Sequence, residues 1–314
     1  MTNPFAPDRA GYPRDMVGYG RNPPDPKWPG NARLALNIVV NYEEGGENSV
    51  LHGDAGSEFF LTEHITAQRR GERYPTVESL WEYGSRVGFW RLWRLLAGRG
   101  LPVTCFGVTM ALGRNPEAVA AMREAGWEIA THGMRWNVPA PASEALEREE
   151  IARTVELHAA ICGAPPVGWY NRSTARTYRI LSDLGGMLYF ADNYADELPF
   201  WASVGGKAEL FVPYTLEAND MRFAAGVGFP DSEAFFTYLR DTFDVLYRDG
   251  MEGRPRMMSV GLHGRLSGRP GRTAGLERFL DHVAKHEDVW VTTRADIARH
   301  WRMHHPPGAL RSVW

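Results

Sequence analysis

Four places in this chain carry residues able to break a bond. Glu43 and Glu44 follow the run Ala35-Leu36-Asn37-Ile38-Val39-Val40-Asn41-Tyr42 and precede Gly45 and Gly46. A short apolar, β-branched run reads as a buried strand. Acids just past the end of such a strand lie at the carboxyl edge of the sheet, where α/β folds keep their chemistry. Adjacent carboxylates repel each other, so one is expected to have a raised pKa and to be usable as a base. His132, Arg172 and His263 follow three further apolar runs, Trp127 to Ala130, Val167 to Tyr170 and Met257 to Leu262. Together these types suit amide hydrolysis: a carboxylate to deprotonate water, a cation to hold it ionised, a histidine to protonate the leaving nitrogen. Arg172 beside Glu43 would lower and orient that acid. Taken singly, each has a plainer role, as a solvated acidic turn, a core histidine or a surface ion pair.

The elements that must position these groups alternate. After an arm rich in Pro, Gly, Asp and Arg (residues 1–32), strands are expected at about 33–40, 103–108, 127–130, 167–170, 188–190, 210–214, 257–262 and 289–292. Amphipathic helices are expected at 79–98, 115–125, 143–161, 176–184, 232–250, 273–286 and 296–303, with a polar, partly helical insertion at 53–73. This alternation is the signature of parallel βα units. With no Pro/Ser-rich linker in the middle, it favours one closed or nearly closed barrel over residues 33–303, followed by a tail (304–314).

Bulk properties narrow the function. The chain has 314 residues, 44% hydrophobic, and a formal net charge of -3, which argues against nucleic acid as a partner. The 11 Trp suggest aromatic-lined pockets or subunit contacts. Cys105 and Cys162 cannot form a disulfide framework or a four-thiolate zinc site, and Cys105 sits in an apolar run as a structural thiol. No apolar run follows Met1 and no long uncharged stretch occurs, so neither a signal peptide nor a membrane span is expected, and the protein is expected in the cytoplasm.

The order of these motifs resembles the NodB-homology, or polysaccharide deacetylase, superfamily. Asn41-Tyr42-Glu43-Glu44-Gly45 stands where that family has Thr-Phe-Asp-Asp-Gly, a base followed by a metal ligand. Thr131-His132-Gly133-Met134-Arg135-Trp136 stands where it has His-x-x-x-His, both metal ligands. Arg172 matches the arginine that braces the base, and Gly261-Leu262-His263 the closing strand that ends in the acid. The resemblance implies a deformed (β/α)7 barrel that hydrolyses amides. Its departures are similar to one branch, the bacterial allantoinases and cyclic-imide hydrolases. That branch is also matched by Val50-Leu51-His52-Gly53-Asp54, Tyr83-Gly84-Ser85-Arg86, Pro213-Tyr214-Thr215-Leu216, Asn219-Asp220-Met221-Arg222-Phe223 and, in the arm, Tyr12-Pro13-Arg14-Asp15-Met16.

The branch implies opening of a cyclic amide or imide in a homo-oligomer. Trp136 replaces the second metal histidine, leaving Glu44 and His132, fewer than the three protein ligands of a catalytic zinc. No cofactor is expected, or a divalent metal held only weakly by Glu44 and His132. The expected roles are Glu43 as base, Arg172 as its brace, His263 as acid and His132 at the developing oxyanion. Trp136, Tyr170 and Trp201 would wall the pocket, and Asn219, Asp220 and Arg265 would bind the substrate's polar edge. The loops 137–142 and 171–177, and Gly264, depart from the branch and leave the substrate open. One rival reading is a metal-dependent deacetylase that finds a third ligand in His52 or Asp54. Another is an inactive binding barrel.

Overall fold

The computed structural model describes residues 14–64, 67–136, 141–308 and 310. Its centre is β1 (Leu34–Tyr42), buried at all nine positions. Covered on both faces, it needs apolar side chains throughout, which is why it shows no polar alternation. Its two asparagines are satisfied inside the barrel: Asn37 Nδ2 donates to Thr292 O at 3.0 Å, and Asn41 Nδ2 to the Tyr214 hydroxyl at 3.0 Å.

The chain continues through α1 (Pro75–Tyr83), α2 (Phe89–Gly98), β2 (Val103–Gly107), α3 (Thr109–Arg114), α4 (Pro116–Glu124) and β3 (Glu128–Thr131). Then come α5 (Glu144–Cys162), β4 (Gly168–Trp169), α6 (Ala175–Leu184), β5 (Tyr189–Phe190), β6 (Phe200–Val204) and β7 (Lys207–Phe211). The last elements are α7 (Ser232–Met251), β8 (Arg256–His263), α8 (Pro270–Val283), β9 (Val289–Val291) and α9 (Arg294–His304).

The sheet runs β6-β7-β5-β4-β3-β2-β1-β8. From β7 to β8 the pairs are all parallel, which gives seven barrel strands, and β9 flanks the start of β1. Between the terminal strands β7 and β8 the seam is narrowed by the isolated parallel bridge Asn219↔Gly261. This is the deformed (β/α)7 barrel of the NodB type. A cleft follows the seam, lined among others by Val17, Tyr19, Trp201, Tyr214 and Trp301. On the arm, buried Trp28 packs on Trp290 and Trp301 and donates Nε1–H to Arg256 O at 3.0 Å. No described helix is long and apolar enough to cross a membrane.

Three expectations shift. β6 is an additional strand, antiparallel to β7 through a Gly205-Gly206 turn, and β7 ends at Phe211 rather than Tyr214. The described part of 53–73 is irregular, not helical. The single helix expected at 79–98 is α1 and α2 joined by a π-helical turn, Gly84–Gly88. A π turn inside a helix is a frequent mark of a functional site, and here glycine is required at its first position. A Cβ on Gly84 would strike the carboxylate of Glu44. The Tyr12 and Pro13 part of the arm motif and residues 137–140 of the altered loop lie outside the described residues.

Candidate active site

Glu43 leaves β1 into a turn closed by Gly46 N–H donating to Glu43 O at 2.9 Å, and its side chain turns back into the barrel with 1% exposure. Glu43 Oε1 lies 3.3 Å from Nε2 of His132, at the end of β3, and 3.4 Å from Nε2 of His263, at the end of β8. The register Asn41↔His263 places Glu43 and His263 side by side on adjacent strands. Glu43 Oε2 lies 2.7 Å from Arg265 Nη2. The two groups form a fully buried ion pair.

The cation on Glu43 is therefore Arg265, not Arg172. Arg265, 2% exposed, also reaches Glu44 Oε1 through its backbone N–H at 3.2 Å and Nη1 at 3.5 Å. Its guanidinium lies 4.0 Å above the Trp81 ring and 5.3 Å from that of Trp136. The expected place for Arg265 at a substrate's edge is thus corrected: both carboxylates already occupy its fork. Arg172 is exposed, with its guanidinium 5.4 Å from the rings of Phe60 and Trp136. Its φ of +52° is uncommon for a residue with a side chain, and its N–H donates to Asp192 Oδ1 at 2.6 Å. Strain of that kind gathers at functional sites, and it puts Arg172 beside the aromatic rings.

His263 is oriented from behind. Its Nδ1 lies 2.6 Å from Asp220 Oδ1, while Asp220 Oδ2 accepts from the N–H of His263 at 2.7 Å and of Ser267 at 2.9 Å. Asp220 is fully buried and spent on the histidine, so its expected contact with substrate moves to a positioning role. Asn219, also buried, accepts from Met221 N–H at 3.0 Å and donates to Thr215 O at 3.2 Å, holding the loop rather than facing a ligand. Trp201 is set apart: its Nε1 donates to His305 O at 2.6 Å and Arg302 lies 4.9 Å over its ring, beside the terminal helix. Tyr170 does reach the cluster, its ring 4.7 Å from that of His132. Trp136 packs 5.1 Å from Trp81 and 5.9 Å from Phe60.

Electrostatics separate the neighbouring acids. Burial alone would raise Glu43, but the charges of Arg265 and His263, with hydrogen bonds from both histidines, hold it well below the usual carboxylate range. Glu44 is raised, by burial first and by Glu43's charge, against the pull of Arg265. The raised acid of the pair is thus Glu44, while the base candidate is the lowered one. Burial would lower His263, but Glu43 and Asp220 overcome it and raise it to about 9. Near neutral pH the site holds an ionised carboxylate against a protonated imidazole.

A metal does not suit this arrangement. Glu44 is engaged by Arg265, and Trp136 stands where a ligand would be needed. His52 Nε2 lies 2.8 Å from Arg114 Nη2 and Asp54 is paired with Arg135, so neither turns toward Glu44 and His132. Among the described residues, the one group of three His, Cys, Asp or Glu side chains with ligand atoms within 4.8 Å of one another lies elsewhere. Cys105 and Cys162 are both buried free thiols.

Barrel, strand-end histidines and acid pair define a class. The profile of the polysaccharide deacetylase family matches residues 70–185. A Schizosaccharomyces pombe protein named, provisionally, a polysaccharide deacetylase is 43% identical over 93% of this chain and 98% of its own. The chain belongs to the polysaccharide deacetylase family, whose members are hydrolases. Two crystal structures superpose on it with a TM-score of 0.91. One, from Pseudomonas aeruginosa PAO1, is described as a probable polysaccharide deacetylase, 50% identical and covering 95% of this chain and 100% of that one. The other is PuuE allantoinase, 48% identical, covering 95% and 99%. A Helicobacter pylori peptidoglycan deacetylase is 25% identical over 71% of this chain and 86% of its own. Within the family the chain therefore sides with the branch that contains the allantoinase.

Proposed function

We propose that this protein hydrolyses one carbon-nitrogen bond of a small cyclic amide or imide, with allantoin the first candidate, using side chains where relatives of the wider family would use a metal. The observation that carries the proposal is Glu43, buried and gripped by Arg265, His132 and His263, with Asp220 keeping His263 charged. Glu43 takes a proton from a water whose oxygen attacks the ring carbonyl. Nε2–H of His132 donates to the oxygen that gains charge. His263 gives its Nε2 proton to the nitrogen as the C–N bond breaks. A carboxylate held ionised this firmly is a weak base, so much of the rate must come from the two histidines and from positioning. Similarity to PuuE allantoinase supports the cyclic substrate. We also propose that the protein works as a cytoplasmic homo-oligomer, to be checked by light scattering and fractionation.

The test is hydrolysis of allantoin, several cyclic imides and N-acetylglucosamine oligomers by the unmodified protein and by Glu43→Gln, each with and without chelator. Ring opening that survives the chelator and falls by about 10²-fold or more in the variant is the expected result. Acetate release abolished by chelator would replace the proposal with a metal-dependent deacetylase.

A further inference from the structure

A second polar cluster lies on the outer helices, away from Glu43. Asp244 on α7 and His282 on α8 meet with Asp244 Oδ1 2.6 Å from His282 Nε2, and His286 follows one turn after His282. The three place one ligand atom each within 4.8 Å of the others. His282 lies in the last turn of α8 and His286 in the turn that follows Val283, with its N–H donating to Val283 O at 3.0 Å, so this turn and not a continuous helix brings the two rings to 5.0 Å of each other.

The orientation of His286 is fixed from two sides. Its Nδ1 lies 3.1 Å from His282 O, a carbonyl that also accepts the Lys285 N–H at 3.1 Å. A proton on Nδ1 leaves the lone pair on Nε2, the arrangement by which protein metal sites set a histidine's tautomer. Its ring also packs against Phe243 at 4.9 Å and Tyr247 at 4.8 Å, while His282 lies 5.5 Å from Phe243. The side chains of Asp244 and His282 are 44% and 20% exposed, so an ion can enter and keep water in a fourth position. Bond lengths of about 2.0–2.2 Å at a tetrahedral zinc need donors about 3.3 Å apart. Asp244 and His282 would therefore exchange their hydrogen bond for two metal bonds with a small rotation of each side chain.

We propose that Asp244, His282 and His286 form a binding site for a first-row divalent cation, zinc above all, independent of the hydrolytic centre. Two nitrogens and one carboxylate suit zinc better than calcium or magnesium, which prefer oxygen alone. The site clamps the C-terminal end of α8 to α7.

The full chain, stripped of metal, is titrated with zinc chloride alone by calorimetry and equilibrium dialysis. One zinc per chain is expected, with a rise in melting temperature. His286→Ala and Asp244→Asn should each weaken binding by about tenfold or more, since even second-shell losses cost that much. Asp244→Asn keeps a hydrogen-bonding group of the same shape against His282, so it separates lost ligation from lost packing. Glu44→Gln should bind zinc as the unmodified protein does, and amide hydrolysis should be unchanged in the His286 variant. No zinc bound at millimolar concentration, or zinc bound equally by the Asp244 and His286 variants, would overturn the site. Zinc lost in Glu44→Gln instead would place the metal at the hydrolytic centre.

Discussion

Replacing Arg265 by Met would leave two carboxylates, Glu43 and Glu44, side by side in the barrel without their shared cation. At the observed 2.7 Å, and with an effective dielectric near 20, the attraction between Arg265 and Glu43 is about 6 kcal/mol. His263, 3.4 Å away on the other oxygen, keeps part of the stabilisation of the ionised form. Removing one partner of a buried pair costs about 3–5 kcal/mol of folding stability, which a family member of this size should survive at reduced temperature. The informative quantity is kcat/KM against pH. In the unmodified protein Glu43 is held well below the usual range, so activity should be flat down through mildly acid pH. In Arg265→Met the acid limb should move up into the working range, with a loss of about 10²-fold or more at neutral pH. The lost rate should be regained as pH rises and Glu43 ionises. Arg265→Lys, which keeps the charge but loses the fork that spans both acids, should fall between. Arg172→Met should leave the acid limb in place and act on KM. A profile whose acid limb stays put in Arg265→Met, or moves in Arg172→Met, would refute the assignment of the brace.

Three other outcomes follow from the same geometry. Asp220→Asn removes one of the two charges that raise His263, so the alkaline limb of activity, near 9 in the unmodified protein, should move down while the acid limb stays. The sign for stability agrees: the raised His263 contributes fully below its unfolded value near 6.5, and the contribution disappears as pH rises through about 9. A pH series of chemical denaturation on both proteins measures this, and equal slopes between pH 7 and 9 would contradict it. Gly84→Ala forces a methyl group against Glu44 and should lower kcat far more than it lowers the melting temperature, compared by parallel kinetics and thermal melts. Trp201→Phe, set beside the terminal helix, should leave kcat and KM within about twofold, and a large rise in KM would restore it to the pocket.

The barrel was legible because its central strands are buried on both faces. β1, β2 and β8 are mainly apolar, broken by a few polar residues such as Asn37, Asn41, Thr104 and Ser259, and the helices between them show a 3.6-residue apolar period. β6 escaped because its inward alternation is weak and it pairs only with β7 through two glycines. The π turn was hidden because Gly84 and Gly88 interrupt an otherwise regular helical pattern for a reason that lies in Glu44 and the loop after β8. Glu43 and His132 each follow a strand immediately and His263 ends one, so their convergence could be inferred from position alone. The brace could not. Arg172 stands at a strand end in the right motif order, while Arg265 lies two residues past His263, and only the turn from His263 to Leu266 brings it back over the acids. Asp220 was visible as a polar loop residue, but its pairing with a backbone and a ring 43 positions later has no local signature.

The pairing of β1 with β8 also sets when the protein can first become active. Glu44 and Arg265 are 221 residues apart, and the strand that leads into Glu43 is hydrogen-bonded to the strand that ends in His263. During synthesis, β1 must wait for nearly the entire chain before its buried carboxylates meet any cation. Until then both acids remain solvated and the barrel lacks its eighth-strand neighbour, a long-range closure that is slow to form. On the proposed mechanism, hydrolytic competence belongs to the complete barrel: fragments ending before His263 would lack both the proposed acid and the Arg265 guanidinium.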